Sequence, residues 1–182
     1  MTRANFVKSA RKDYPEHEIQ KGESYYWWKF RYGNKHFSKT PPKPSQLTNS
    51  TFYSTAYGIQ EQIESLDIDP DDLSMVADDL RTAADEIRDL GEDQASNADN
   101  MPESLQYSET AELLRSRADA CKSLADEMES AADDIDRLAP VEDEDEDEDK
   151  DEDEKAERLQ LARDELTAQV SDILAGISWD FE

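Results

Sequence analysis

The stretch that decides the fold runs from Tyr25 to Lys39 and reads YYWWKFRYGNKHFSK. It concentrates aromatic and positively charged residues in a chain that is otherwise acidic. Gly33-Asn34 separates two runs of aromatic and β-favouring residues, which is the pattern of a two-residue hairpin loop. We therefore predict a β-hairpin in which Phe30 faces Phe37 across the two strands.

Because side chains alternate along a strand, this hairpin should have two different faces. The face suited to burial consists of Tyr26, Trp28, Phe30, Tyr32 and Phe37. The other face is basic, with Lys29, Arg31 and His36, and has Trp27 at its edge. An isolated hairpin is marginal in water. We therefore expect the helix that follows to cover the apolar face.

Charge is unevenly distributed along the 182 residues. Residues 1–47 contain ten Lys and Arg against four Asp and Glu, whereas the whole chain has a formal net charge of −26. This asymmetry indicates two surfaces with different partners, or an acidic part that competes for the basic one. With 36% charged residues and only five Gly, the composition predicts helical, highly solvated material.

The segments on either side of the hairpin lack sustained periodicity. We expect residues 1–22 to form a basic arm that is frayed or loosely docked. Thr40 to Pro44 should be a stiff connector, because proline fixes φ and lacks a backbone donor. The predicted organisation is a basic arm at 1–22, a hairpin plus helix at 23–68, a helical hairpin at 69–140, an acidic disordered linker at 141–154 and a C-terminal amphipathic helix with its tail at 155–182.

Apolar spacing predicts four helices, so the fold class is mainly α with a small N-terminal β-hairpin. The first helix should begin at Asn49 or Ser50 and run to about Leu66. The second should begin at Asp69-Pro70, where a cap precedes proline, and should be stopped by Gly91. Its apolar residues form a seam with the spacing of a coiled coil.

The third helix is predicted from residues 108 to 139, before Pro140. The loop from Gly91 to Tyr107 is too short for parallel pairing, so the second and third helices should form an antiparallel helical hairpin. Cys121 falls on the seam and should be a small core residue.

Residues 142–154 include twelve acidic side chains, so self-repulsion should keep this run extended and disordered. It is a spacer, a nucleic-acid mimic or a competitor for the basic hairpin. The last helix, from about Lys155 to Ile177, should be a tethered element that packs on the helical hairpin, self-associates or binds a second protein. Its candidate docking residues are Leu166, Val170, Ile173, Ile177, Trp179 and Phe181.

Catalytic and metal-binding patterns are missing from the sequence. There is no Gly-rich phosphate loop and no arrangement of Ser, His and Asp or of Cys and His. A single Cys and two His exclude a disulfide framework and argue against structural zinc. No apolar stretch approaches the ~18 residues of a membrane span. We expect a cytosolic protein that is not an enzyme and needs no cofactor or metal.

The N-terminal region is the candidate nucleic-acid interface. Lys and Arg side chains contact phosphates, and aromatic rings stack on bases. The residues expected to bind are Trp27, Lys29, Arg31, Lys35, His36 and Lys39. We expect an interaction or scaffold protein with DNA or RNA as a ligand of this region. The alternative is an acidic nucleic-acid mimic or inhibitor that docks on a basic host protein.

Two resemblances accompany these patterns. The strings SYYWWKFRYG at 24–33, KTPPKPSQLT at 39–48 and NMPESLQ at 100–106 resemble uncharacterised small proteins of bacteriophage type. This implies a viral or mobile-element origin and a place in the host cytoplasm. Residues 28–39 are similar to the hairpin of the arm-site-binding domains of tyrosine integrases, which implies a three-stranded sheet that packs on one helix and reads DNA. The chain departs from that pattern at Thr40 to Pro44, and no clear third strand precedes the hairpin.

Overall fold

The computed structural model describes residues 1–138 and 152–181. The fold is mainly helical, with a small antiparallel sheet near the N-terminus and four α-helices in the described residues, which confirms the predicted fold class. The chain divides into two compact units, residues 1–61 and residues 62–182. Most of the acidic run for which we predict disorder, residues 142–151, lies outside the described residues.

Unit 1 contains a three-stranded sheet in the order β1 (Asn5–Val7), β2 (Tyr25–Lys29) and β3 (Lys35–Ser38). The third strand corrects the prediction of a frayed arm. Ala10 and Ile19 are buried, and the Ala10 N–H donates to the Glu23 carbonyl at 2.7 Å. Residues 1–22 therefore fold by turns and one short strand, and their core residues follow neither a helical nor a strand period.

The hairpin between β2 and β3 has a different register from the predicted one. Trp27 pairs with Phe37, and Lys29 with Lys35, which leaves a five-residue loop. Within that loop the Gly33 N–H donates to the Phe30 carbonyl at 3.2 Å. A two-residue type I′ loop needs positive φ at both central residues, and in the described part of the chain only Glu18 and Gly22 have positive φ. The predicted pairing of Phe30 with Phe37 is wrong.

The core of the sheet lies on the face that carries Tyr25, Trp27 and Phe37, which we call the Trp27 face. These rings pack with Ala10 and Ile19 of the N-terminal segment. The N-terminal segment, which was predicted to be a loose arm, therefore covers this aromatic face.

The opposite side of the sheet, the Trp28 face, carries Tyr26, Trp28 and His36. Trp28 is buried, with 5% of its surface exposed. Tyr32, predicted to be buried, lies in the loop and is 90% exposed.

Helix α1 (Thr51–Ile63) follows a proline-containing connector and is shorter than predicted. Its buried residues repeat at spacings of four and three, as predicted, and are Phe52, Ala56, Ile59 and Ile63. The connector is fixed to the helix because the Ser45 hydroxyl donates to the Glu61 carboxylate at 2.9 Å. Thus the last part of unit 1 is tied together by hydrogen bonds as well as by apolar burial.

Unit 2 is built on α2 (Leu73–Asp99) and α3 (Glu109–Asp136). The two helices are antiparallel, since Arg81 pairs with Asp133 and Arg88 with Glu129. Gly91 does not stop α2, contrary to the prediction. It is buried inside the helix, and the loop between the helices begins only at Asn100.

Helix α4 (Glu152–Ala175) packs within unit 2, where it contacts α3. Its Arg163 guanidinium donates two hydrogen bonds to the Asp71 carboxylate, at 3.0 and 3.2 Å. Of the predicted docking residues, Ile173 and Trp179 are half-buried. The other four are buried and are Leu166, Val170, Ile177 and Phe181. The docking hypothesis requires these apolar residues to be exposed. They are instead buried or half-buried in the fold.

Candidate nucleic-acid interface

The uncovered end of the Trp27 face combines positive charge with an accessible ring. Lys29 and Lys35 are exposed and lie directly opposite each other on β2 and β3. Trp27 is two residues from Lys29 on the same face and is half-buried. The Lys35 Nζ atom lies 4.5 Å from the centre of the Trp27 ring, which is a cation–π contact. Three predicted site residues thus meet on one surface.

The cations at this end have no acidic partner among the residues that the structure describes. Among the described residues, no carboxylate forms an ion pair with Lys29, Arg31 or Lys35. Like charges placed opposite each other on neighbouring strands destabilise a sheet. The sheet therefore contains an unfavourable pair, Lys29 and Lys35, and a bound anion would reduce the repulsion between them.

Lys39 differs from these cations, although it was predicted to share their role. Its Nζ atom lies 3.3 Å from the Glu23 carboxylate. A hydrogen bond from the Gln20 N–H and the bond from Lys39 hold the pKa of Glu23 below its ordinary value. Lys39 is consequently paired with a carboxylate that secures the N-terminal segment, and its role in the candidate interface stays a prediction.

His36 belongs to the other side of the sheet. Its ring stacks on Trp28, with centroids 5.4 Å apart, and meets the edge of Phe30 at 5.5 Å. The predicted face that combined Lys29 with His36 is wrong, because the actual register differs from the predicted one by three residues, and an odd shift moves a strand's side chains to the other face.

The sequence prediction did not assign Tyr32 to the interface. Its ring is the most exposed aromatic group of the hairpin, and the Arg31 guanidinium lies 5.3 Å from its centre. Both residues occupy the turn closed by the Gly33 N–H. The position of Gly33 could have indicated this turn from the sequence, since glycine is favoured at the fourth position of a type I turn.

Other kinds of site find little support in the structure. The described residues contain no group of three or more His, Cys, Asp or Glu side chains arranged to hold a metal ion. Cys121 is buried, and burial raises the pKa of its thiol to about 11. Within the described parts of the chain, no helix has the length and apolar character needed to cross a membrane.

Comparison with family models, curated proteins and solved structures gives no match. The resemblances to bacteriophage-type proteins and to integrase arm-site-binding domains therefore stay predictions. One departure from the integrase pattern is removed by the fold, however, because β1 supplies the third strand that the sequence did not reveal.

Proposed function

We propose that this chain is a non-enzymatic interaction protein of the cytoplasm whose N-terminal sheet binds nucleic acid. The observation that carries the proposal is the contact of Lys35 with the Trp27 ring, opposite Lys29, where neither lysine forms an ion pair with a carboxylate of the described residues. Residues 1–61 have ten Lys and Arg against five Asp and Glu, whereas the rest of the chain is strongly acidic. This local positive charge favours a polyanion.

In the proposed complex, Lys29 and Lys35 contact phosphates of one strand, and binding relieves the repulsion between them. Arg31 adds a third cation at the turn. Trp27 and Tyr32 offer ring surface for base stacking, which is tolerant of sequence. We therefore expect single-stranded nucleic acid to bind more tightly than a duplex, whose bases are already stacked.

The test is fluorescence anisotropy of full-length protein with a labelled single-stranded oligonucleotide, titrated at several salt concentrations. The variant K29Q/K35Q should weaken binding and reduce the slope of log Kd against log salt by about 1.4, because each lost phosphate contact on a single strand contributes ~0.7. The control K21Q/K122Q changes the net charge equally at two exposed lysines. An equal loss in the control, or no binding by the unmodified protein at low salt, contradicts the proposal.

The alternative of an acidic mimic is favoured by one observation. Residues 62–182 have 41 Asp and Glu against ten Lys and Arg, so this part of the chain has too few cations to neutralise its carboxylates. A mimic would bind a basic DNA-binding protein in competition with DNA, and its affinity would not change in K29Q/K35Q. The same pair of variants therefore separates the two functions.

A further inference from the structure

The end of the helical hairpin where α2 leads into α3 exposes a group of large apolar side chains. We call residues 101–113 the hairpin tip. Within it, Leu105, Tyr107 and Leu113 are 50%, 89% and 44% exposed. Single exposed apolar residues are ordinary on protein surfaces, whereas a local concentration marks an interaction surface.

The backbone of the tip is held by hydrogen bonds. The Ser108 hydroxyl donates to the Leu105 carbonyl at 2.7 Å and accepts the Ala111 N–H at 3.3 Å. The Arg115 guanidinium donates to the Gln106 carbonyl at 2.9 Å. Tyr107 is thus carried on an ordered turn with its side chain outside the α2–α3 seam. A surface ordered before binding loses little conformational entropy on binding.

Negative charge accompanies these apolar groups. Glu103, Glu109 and Glu112 are exposed and, within the described residues, form no ion pair. Glu109 and Glu112 also stabilise the first turn of α3 through the helix dipole, but Glu103 lies outside that helix. A second tip would bring the same negative charge, and like charges across an interface oppose pairing. The complementary partner is therefore basic.

We propose that the hairpin tip binds a protein partner through a basic amphipathic helix. The apolar side of that helix packs on Leu105, Tyr107 and Leu113, and its Lys and Arg side chains meet the glutamates. Tyrosine is a frequent anchor of such interfaces, and an amphipathic helix is a common way of presenting spaced apolar anchors. This function is independent of the nucleic-acid interface, whose residues lie in unit 1.

The probe is a synthetic helical peptide with Leu on one side and Lys on the other, compared with an analogue that has Glu in place of Lys. Full-length protein should bind the Lys peptide, and L105S/Y107S should bind it at least about tenfold more weakly, which corresponds to ~1.4 kcal/mol. The control M75S/L161S removes two exposed apolar side chains elsewhere and should bind as the unmodified protein does. All three proteins have the same net charge, so non-specific attraction to an acidic chain affects them equally.

Circular dichroism should show that L105S/Y107S and M75S/L161S keep the fold of the unmodified protein. Backbone amide shifts on titration should be concentrated in residues 101–113. Equal binding by L105S/Y107S and the unmodified protein, equal loss in the control, or comparable binding of the Glu peptide overturns the proposal. So does sedimentation that shows a dimer which L105S/Y107S converts to a monomer, because the tip would then serve self-association.

Discussion

Gly91 of α2 and Cys121 of α3 face each other across a close contact between the two helices. A Cβ atom on residue 91 would lie 2.8 Å from the Cys121 Cβ and 3.2 Å from the Ala118 carbonyl oxygen. Glycine inside a helix costs about 1 kcal/mol relative to alanine. Here that cost is accompanied by a close contact between helices that a side chain would prevent.

Replacement of Gly91 by Ala should lower the free energy of unfolding by about 1–3 kcal/mol, because overpacking outweighs the gain in helix propensity. Urea denaturation followed by circular dichroism measures the change. Gly58→Ala is the matched control, since no atom lies within 4 Å of its added Cβ, and it should stabilise the protein by up to about 1 kcal/mol. A stable Gly91→Ala variant would mean that the helices do not need this approach.

The register of the sheet makes Phe37 more important for stability than Phe30. Phe37 packs on Tyr14 and Tyr25, with ring centroids 5.1 and 5.9 Å away, whereas the contact of Phe30 is with His36. Both rings are half-buried, so Phe37→Ala should cost about 2 kcal/mol and Phe30→Ala about 1 kcal/mol, less than for full burial. Thermal unfolding followed by near-ultraviolet circular dichroism tests this order. The reverse order would favour the register with a two-residue loop.

The raised pKa of Cys121 predicts a loss of stability in alkali. In the folded protein the thiol has a pKa of about 11, compared with an ordinary value of 9.0, because burial disfavours the thiolate. The unfolded chain therefore releases the proton first, and the stability from this group is complete below about pH 9 and is lost as the pH rises towards 11. Cys121→Ala should lose less stability over this interval. Rapid reaction of the native thiol with a disulfide reagent at pH 8 would contradict the burial.

The lowered pKa of Glu23 predicts that the stability of the folded protein decreases in acid. Its folded pKa is below the ordinary 4.5 because the carboxylate accepts from the Gln20 N–H and pairs with Lys39. The stability that the ionised Glu23 carboxylate contributes is present above its unfolded pKa and is lost as the pH falls through its folded pKa. Glu23→Gln should unfold at a lower temperature at pH 7 and show a weaker acid dependence. Glu16→Gln, at an exposed position, should behave as the unmodified protein, and carboxyl NMR titration locates the pKa directly.

The helices could be predicted from sequence because each has one apolar side that repeats with the helical period. Leu73, Val76, Leu80 and Ile87 were placed on the α2 seam and are buried there. The role of Gly91 could not be predicted, because the same residue type ends one helix and permits close packing of another. Only the position of Cys121 distinguishes the two cases.

The sheet was predicted less well, since its pairing depends on short strands and on turn dihedrals. β1 has three residues, and its partner strand begins about twenty residues later. For the site, Trp27, Lys29 and Lys35 were identified by residue type. Their grouping was missed because it depends on the register, and the ion pair of Lys39 was missed because Glu23 lies sixteen residues away in the sequence.

If the proposed interface is correct, the pairing of Lys29 with Lys35 across β2 and β3 links ligand binding to folding. Any polyanion that binds between them adds stability to the folded sheet in proportion to the logarithm of its concentration above Kd. Because this pair of like charges borders the turn from Phe30 to Asn34, we expect the hairpin to open first at that turn when no anion is bound. Under the proposed function, the N-terminal unit would report on a bound polyanion by becoming more resistant to local opening, with no change in backbone conformation.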